Sequence, residues 1–201
     1  MDWDHLFDDL EGQLASEWEA ERIALEAESE RLRISKLGLI DRLRSLASVT
    51  AEVTLTLCDG HRLRGTAHTL GADWIAMSMT TDPRLRILPL AAIASIAADH
   101  GVVLSSLEAS APPSALQERM TLGFVLRDLA RRRLPVTLGL HALPDDERLH
   151  GTIDRAGVDH LDIALHEAGQ PRRSSTVRGF RIVPFSALSW VRIEPADATL
   201  I

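Results

Sequence analysis

The amino-acid sequence predicts an α+β protein in which a long N-terminal helix leads into two tandem five-stranded β-units, each preceded by a helix. A proline-free amphipathic stretch opens the chain, and most of the remainder is written twice. Val53-Thr54-Leu55-Thr56-Leu57, Leu63-Arg64-Gly65-Thr66 and Gly71-Ala72-Asp73 are answered by Val136-Thr137-Leu138-Gly139-Leu140, Leu149-His150-Gly151-Thr152 and Gly157-Val158-Asp159. Each copy closes alike, with Arg86-Ile87-Leu88-Pro89-Leu90 matched by Arg181-Ile182-Val183-Pro184-Phe185. The second copy carries three extra residues in its first turn and nine more in a later loop. A tandem duplication accounts for a repeat whose strands stay in register while its loops grow.

From Trp3 to about Ala47, Trp3, Leu6, Phe7, Leu10, Leu14, Trp18, Leu25, Leu32, Ile40 and Leu43 recur mostly at spacings of three, four or seven. Such spacing predicts one amphipathic helix, or two joined near Ser35–Gly38. Its apolar stripe has two readings. Leu6, Leu10, Leu14, Trp18, Leu25 and Leu32 form a seam for a second copy or a partner, or they fold back onto the β-units. The helix is long for so small a body, which favours the seam. Residues 1–48 are therefore expected to be an acidic docking arm or coiled coil.

The first β-unit is expected within residues 49–108. Val53, Leu55 and Leu57 alternate with polar residues, the period-two pattern of a strand with one buried face. Asp59-Gly60 predicts a hairpin turn. Gly65, inside the second strand, predicts a bulge or sharp bend. A third strand follows at Trp74–Met77, a loop at Thr80–Pro83, a fourth strand at Arg84–Leu88, one helical turn opened by Pro89, and a short fifth strand at Ile93–Ala98. Residues 109–201 begin with a linker containing Pro112-Pro113. A helix follows over Ala115–Arg133, capped by Ser114, and then the second β-unit. Leu143–Asp146 enlarges its first turn and Ala168–Ser175 its later loop; the tail from Pro195 is expected to fray.

The pattern Val53-x-Leu55-x-Leu57-x-x-Gly60, Leu63-x-Gly65, Asp73 and Ile87-x-Pro89, matched in the second copy by Val136 to Leu140, Leu149-x-Gly151, Asp159 and Ile182-x-Pro184, resembles the Sm-like (LSm) form of the SH3-like small β-barrel. The layout of acidic helix plus two barrels also resembles a family of GC-rich bacteria. The resemblance covers about 150 residues and implies two tandem five-stranded barrels. The family's RNA-contacting signatures are not in place: no Asn follows Asp73 or Asp159 at the expected distance, and neither copy has an Arg-Gly pair in its fourth-strand region except Arg178-Gly179, which lies in the inserted loop.

The net charge of −7 is unevenly distributed. Residues 1–30 hold eleven acids against Arg22 alone, so the rest of the chain carries a balance of +3. Whole-chain acidity therefore does not exclude a nucleic-acid surface on the body. Cys58 stands alone, which excludes an intrachain disulfide and predicts a packing residue in a reducing compartment. The acidic N-terminus is unlike a secretory signal, and no apolar run reaches the ~18 residues of a membrane helix. A cytoplasmic protein is expected.

Chemistry-bearing constellations are sparse. His160, Asp162 and His166 alternate onto one strand face, but the two histidines would lie about 20 Å apart at ~3.3 Å per residue, too far for one ion. No nucleophile elbow, phosphate-cradling glycine loop, His-Glu-x-x-His or paired-cysteine spacing occurs. Asp73 and Asp159 each follow Gly-x, where aspartate serves local turn hydrogen bonds. No catalytic set, metal or cofactor is expected. Arginine is the informative residue. Arg131, Arg132 and Arg133 close the second helix, and Arg172, Arg173, Arg178 and Arg181 surround the inserted loop, a candidate patch for phosphate or an acidic partner. The sequence therefore points to a non-enzymatic interaction protein that self-associates or docks a protein partner through its N-terminal helix. The alternative is RNA or DNA binding by the arginine patch; neither a membrane nor a small-molecule substrate is expected.

Overall fold

A computed structural model of the chain describes residues 3–108, 114–141, 143, 147–170 and 172–194, with the side chains of all of these except 3–10 and 116. The chain divides into two compact units, Met1–Asp41 and Arg42–Ile201. Most of the expected linker, much of the enlarged first turn, the tail from Pro195 and the side chains of Leu6 and Leu10 lie outside the described residues.

The amphipathic stretch is two helices, α1 (Trp3–Ser35) and α2 (Leu39–Ser48), interrupted at Lys36–Gly38. On α1, Arg22 binds Glu19 and Glu26, and Arg33 binds Glu30, all one turn apart. Such pairs support a solvated helix. On α2, Leu43 and Leu46 are buried.

The rest is α+β, built on one antiparallel sheet of ten strands. They are β1 (Glu52–Leu57), β2 (Arg62–Leu70), β3 (Trp74–Met79), β4 (Asp82–Pro89), β5 (Ile93–Ala97), β6 (Pro135–Leu140), β7 (Leu149–Ala156), β8 (His160–Leu165), β9 (Gly179–Pro184) and β10 (Leu188–Ile193). Their order is β5-β1-β2-β3-β4-β10-β6-β7-β8-β9, an open sheet with β5 and β9 at its ends. Each half repeats one pattern of neighbours, and a one-turn 3-10 helix, Leu90–Ala92 or Phe185–Ala187, precedes the last strand of each. β4 extends further than its periodicity predicts, and the loop before it shrinks accordingly.

The duplicated glycines have a steric cause. A Cβ on Gly65 would lie 2.1 Å from the carbonyl oxygen of Ser78, and one on Gly151 would lie 2.1 Å from that of Ala164. The bulge of β2 falls later, between Ala67 and Thr69. Gly65 thus marks close backbone approach rather than the bulge itself.

The expected single helix over Ala115–Arg133 is broken into α4 (Ala115–Arg119) and α5 (Leu122–Arg132), and an unforeseen short helix, α3 (His100–Ser105), follows β5. Ser114 and Gln117 form a capping box: the Gln117 N–H donates to Ser114 Oγ and the Ser114 N–H to Gln117 Oε1. Thr121 restarts the helix by accepting from the Phe124 N–H. α2 and α5 end at equivalent positions, Thr50 and Arg133, both with positive φ, so the repeat includes the helix before each set of strands.

The two halves share a core. Leu126 and Leu129 of α5 join Val136, Leu138, Ile153, Leu161, Ile163 and Val183 of the second half with Trp74, Ala76 and Ile87 of the first. Asp73 reaches across this contact to accept the Leu122 N–H at 2.6 Å, and the Trp74 indole donates to the Met120 carbonyl at 2.8 Å. Asp73 is therefore a helix cap, whereas Asp159 serves its neighbour His160. Cys58 follows the end of β1 and is exposed, contrary to the packing role expected of a lone cysteine but on the side where strand alternation puts it, away from Val53, Leu55 and Leu57.

Gly151→Ala is expected to destabilise the fold by about 1–3 kcal/mol, because the added methyl must displace strand backbone. Urea unfolding of the variant beside Gly179→Ala, where a Cβ meets nothing within 4 Å, provides the measurement.

Candidate functional site

The candidate arginines divide between surface ion pairs and a cleft. Arg131 and Arg132 both bind Asp128 within α5. Arg178 binds Glu167. Arg173 has no ion pair among the described residues. Arg133 of the helix end and Arg172 of the inserted loop converge on Asp154 of β7, at 2.8 and 2.6 Å. That carboxylate ties the inserted loop to the helix end.

Arg133, Asp154 and Arg172 form one wall of a cleft of about 550 Å³ that also takes in Arg155, Asp162, Phe180, Arg181 and Ile182. Four guanidinium groups there face two carboxylates. Arg155 and Arg181 have no ion-pair partner among the described residues, so their charge is available to an anion. Arg155 was not singled out by the sequence pattern; of the two aromatic residues the sequence offers near the arginines, both expected in the core, Trp190 is buried and Phe180 is exposed at the cleft. Arg155 directly follows the cleft's carboxylate Asp154 in β7, and strand pairing past the register shift of β7 sets it opposite Asp162, which itself pairs with Ile182 next to Arg181. Of the seven predicted arginines, the cleft gathers Arg133, Arg172 and Arg181.

The predicted histidine face separates. His160 is exposed, whereas His166 is buried, hydrogen-bonded to Thr152 Oγ1 at 2.9 Å and set edge-on to His150. Strand alternation stops at Leu165, so His166 leaves the face of His160. Among the described residues no group of three or more His, Cys, Asp or Glu could hold a metal ion, and no helix is long and apolar enough to cross a membrane.

On α1, Leu14, Trp18, Leu25 and Leu32 are all exposed, Trp18 to 73%. Their spacing places them on one helix face. Glu21 and Glu28 interrupt that face between Trp18 and Leu32.

A second polar cluster lies where β4 meets β10. Arg84 binds Asp82 and Glu194 at 2.8 Å each, and Arg192 binds Glu194 at 2.7 Å and Asp82 at 3.4 Å. Thr137 donates to Glu194 at 2.7 Å. The Arg84 hydrogen bond holds the Asp82 carboxyl far below its ordinary range. Burial pushes Glu194 upward, but the donors Thr137 and Arg192 outweigh it and the net shift is downward. Arg86 is buried with its Cζ 4.9 Å from the Trp190 ring centroid, and burial lowers its pKa against the attraction of Asp82.

No known protein family, curated protein or solved structure matches the chain. The functional reading therefore stands on these residues.

Both junction carboxylates are depressed, so their stabilising contribution is complete above the unfolded carboxylate pKa of about 4 and is lost as pH falls through the folded values. The carboxylates' contribution is expected to hold from neutral pH to about 5 and to fall below about 4, while His150, whose pKa burial lowers, makes the urea midpoint decline gently once pH drops below about 6.5. Asp82→Asn should lower the neutral-pH midpoint and flatten the acid limb.

Proposed function

We propose that the protein is a non-enzymatic interaction module, with two Sm-like barrel units as its body and the acidic N-terminal helix as its self-association or docking element. The observation that supports this most strongly is the open apolar face of α1. An exposed tryptophan aligned with three exposed leucines is the composition of a binding surface, since aromatic anchors dominate interface energetics. Acids border it, so the fitting partner is a second copy or a groove with a basic rim. The matched strand order, the 3-10 turn before each last strand and the helix before each unit support the Sm-like assignment of both halves.

A specific observation favours the second reading, nucleic-acid binding. The cleft holds an excess of arginine, and Phe180, exposed at its rim, offers a stacking surface.

Replacing Leu14, Trp18, Leu25 and Leu32 together by Gln preserves helix propensity. The change is expected to reduce the mass measured by light scattering, or to abolish partner binding, while the far-ultraviolet helix signal stays. Unchanged association would count against the docking helix. Fluorescence anisotropy with labelled single-stranded RNA and duplex DNA tests the alternative at low and near-physiological salt. If that reading holds, affinity falls steeply with salt and Arg155→Ala with Arg181→Ala weakens it; no binding at either salt retires it.

A further inference from the structure

The apolar face of α1 and the arginine cleft are opposite in charge and alike in showing apolar side chains to solvent. On α1, Leu14, Trp18, Leu25 and Leu32 share their face with Glu21 and Glu28, and Glu17 lies one turn before Glu21. Neither Glu17 nor Glu21 has an ion-pair partner among the described residues. In the cleft, Phe180 and Ile182 are 63% and 74% exposed, and four guanidinium groups outnumber Asp154 and Asp162 by two. Arg155 and Arg181, which make no ion pair among the described residues, are both exposed. At about 550 Å³ the cleft has the size of a pocket that takes a compact anchor such as an indole.

Charge decides which surface the helix takes. A symmetric seam between two α1 helices would set Glu21 and Glu28 of one against those of the other, and residues 1–30 of each carry eleven acids against one base. Like charges facing one another along a helix pair are unfavourable. Pairing the arm with the cleft instead brings a strongly negative segment to a body whose balance is +3.

We infer that α1 of one molecule docks in the arginine cleft of a second copy, with Trp18 against Phe180 and Ile182 and with Glu17 and Glu21 facing Arg155 and Arg181. The inference rests on the reading of α1 as a docking element and names the surface that receives it. Trp18 is the buried anchor of the contact. The carboxylate–guanidinium pairs set its orientation and speed encounter more than they add affinity. Each molecule offers one arm and one cleft, so the contact is heterologous. Added salt weakens it, whereas a seam between two acidic helices would tighten as salt screens its repulsion.

Sedimentation velocity of the full chain at tens of micromolar provides the test. The unaltered chain should exceed the monomer mass and shift toward it at about 1 M salt, where the Debye length falls to about 3 Å. Arg155→Glu with Arg181→Glu, and separately Glu17→Arg with Glu21→Arg, should each give a monomer with an unchanged melting curve. Mixing these two variants should restore a dimer containing one of each, because the first keeps an intact arm and the second an intact cleft. If the cleft variant fails to fold, the salt response decides. A monomeric unaltered chain, a mass that rises with salt, or a mixture that stays monomeric overturns the inference. So does a cleft variant that still assembles; if the four glutamines on α1 then abolish that assembly, the docking helix stands and only its receiving surface is wrong. A cleft variant that loses binding to labelled single-stranded RNA while its mass is unchanged assigns the cleft to nucleic acid and likewise overturns the inference.

Discussion

Where β4 meets β10, Arg86 stands opposite Arg192, and like charges facing one another across a strand pair are unfavourable. The contact holds because Asp82 and Glu194 are placed among the arginines, with Arg84 linking the two acids and Trp190 receiving the Arg86 guanidinium on its ring. Thr137 extends the network by bonding both Glu194 and His150. The pairing joins the two halves into one sheet and sends Ile87 into the core built by the second half. It also brings Asp73 within reach of the Leu122 N–H, so the first half positions the start of α5. Removing one member of such a cluster leaves a buried charge uncompensated, which costs more than the pair contributes.

Divergence between the copies follows the junction. Thr56 corresponds to Gly139 and Ser95 to Trp190; a Cβ on Gly139 would lie 2.3 Å from the Trp190 ring, so the glycine makes room for the tryptophan that seals the junction. On the facing side, Trp74 and Ala76 are buried where His160 is exposed and Asp162 half-buried. One copy has been adapted to be covered and the other to face water, except at Phe180 and Ile182, which remain apolar on an open edge. The arginines follow a similar division. Those at the end of α5 and in the loop largely neutralise nearby acids, while Arg155 and Arg181 have no ion-pair partner among the described residues.

Much of the architecture was legible in the chain. Spacing placed the strand start at Trp74 and the helical turn after Pro89, and it offered a helix junction near Ser35–Gly38 as one of two readings, because these depend on side-chain period and local turn chemistry. The candidate site was legible only in part. Arg133, Arg172 and Arg181 were visible as a cluster, yet Arg155 was not, because its place in the cleft depends on the pairing of β7 with β8 and β8 with β9 and on the register shift in β7. His166 was misplaced because alternation was carried beyond the end of its strand, and Cys58 because the apolar character of a lone cysteine was weighed above the alternation that puts it on the open face.

By itself, the sequence determined the duplication, the helix-then-strands order of each copy and the separation of an acidic arm from a basic body. All of these are properties of residues near one another along the chain. Only the tertiary structure decided that β4 takes β10 as its neighbour, that Asp73 caps a distant helix, and which arginines are neutralised. Those outcomes turn on pairing between residues tens of positions apart, where hydrogen bonding and Coulomb energy depend on distance in space and not on spacing in the sequence.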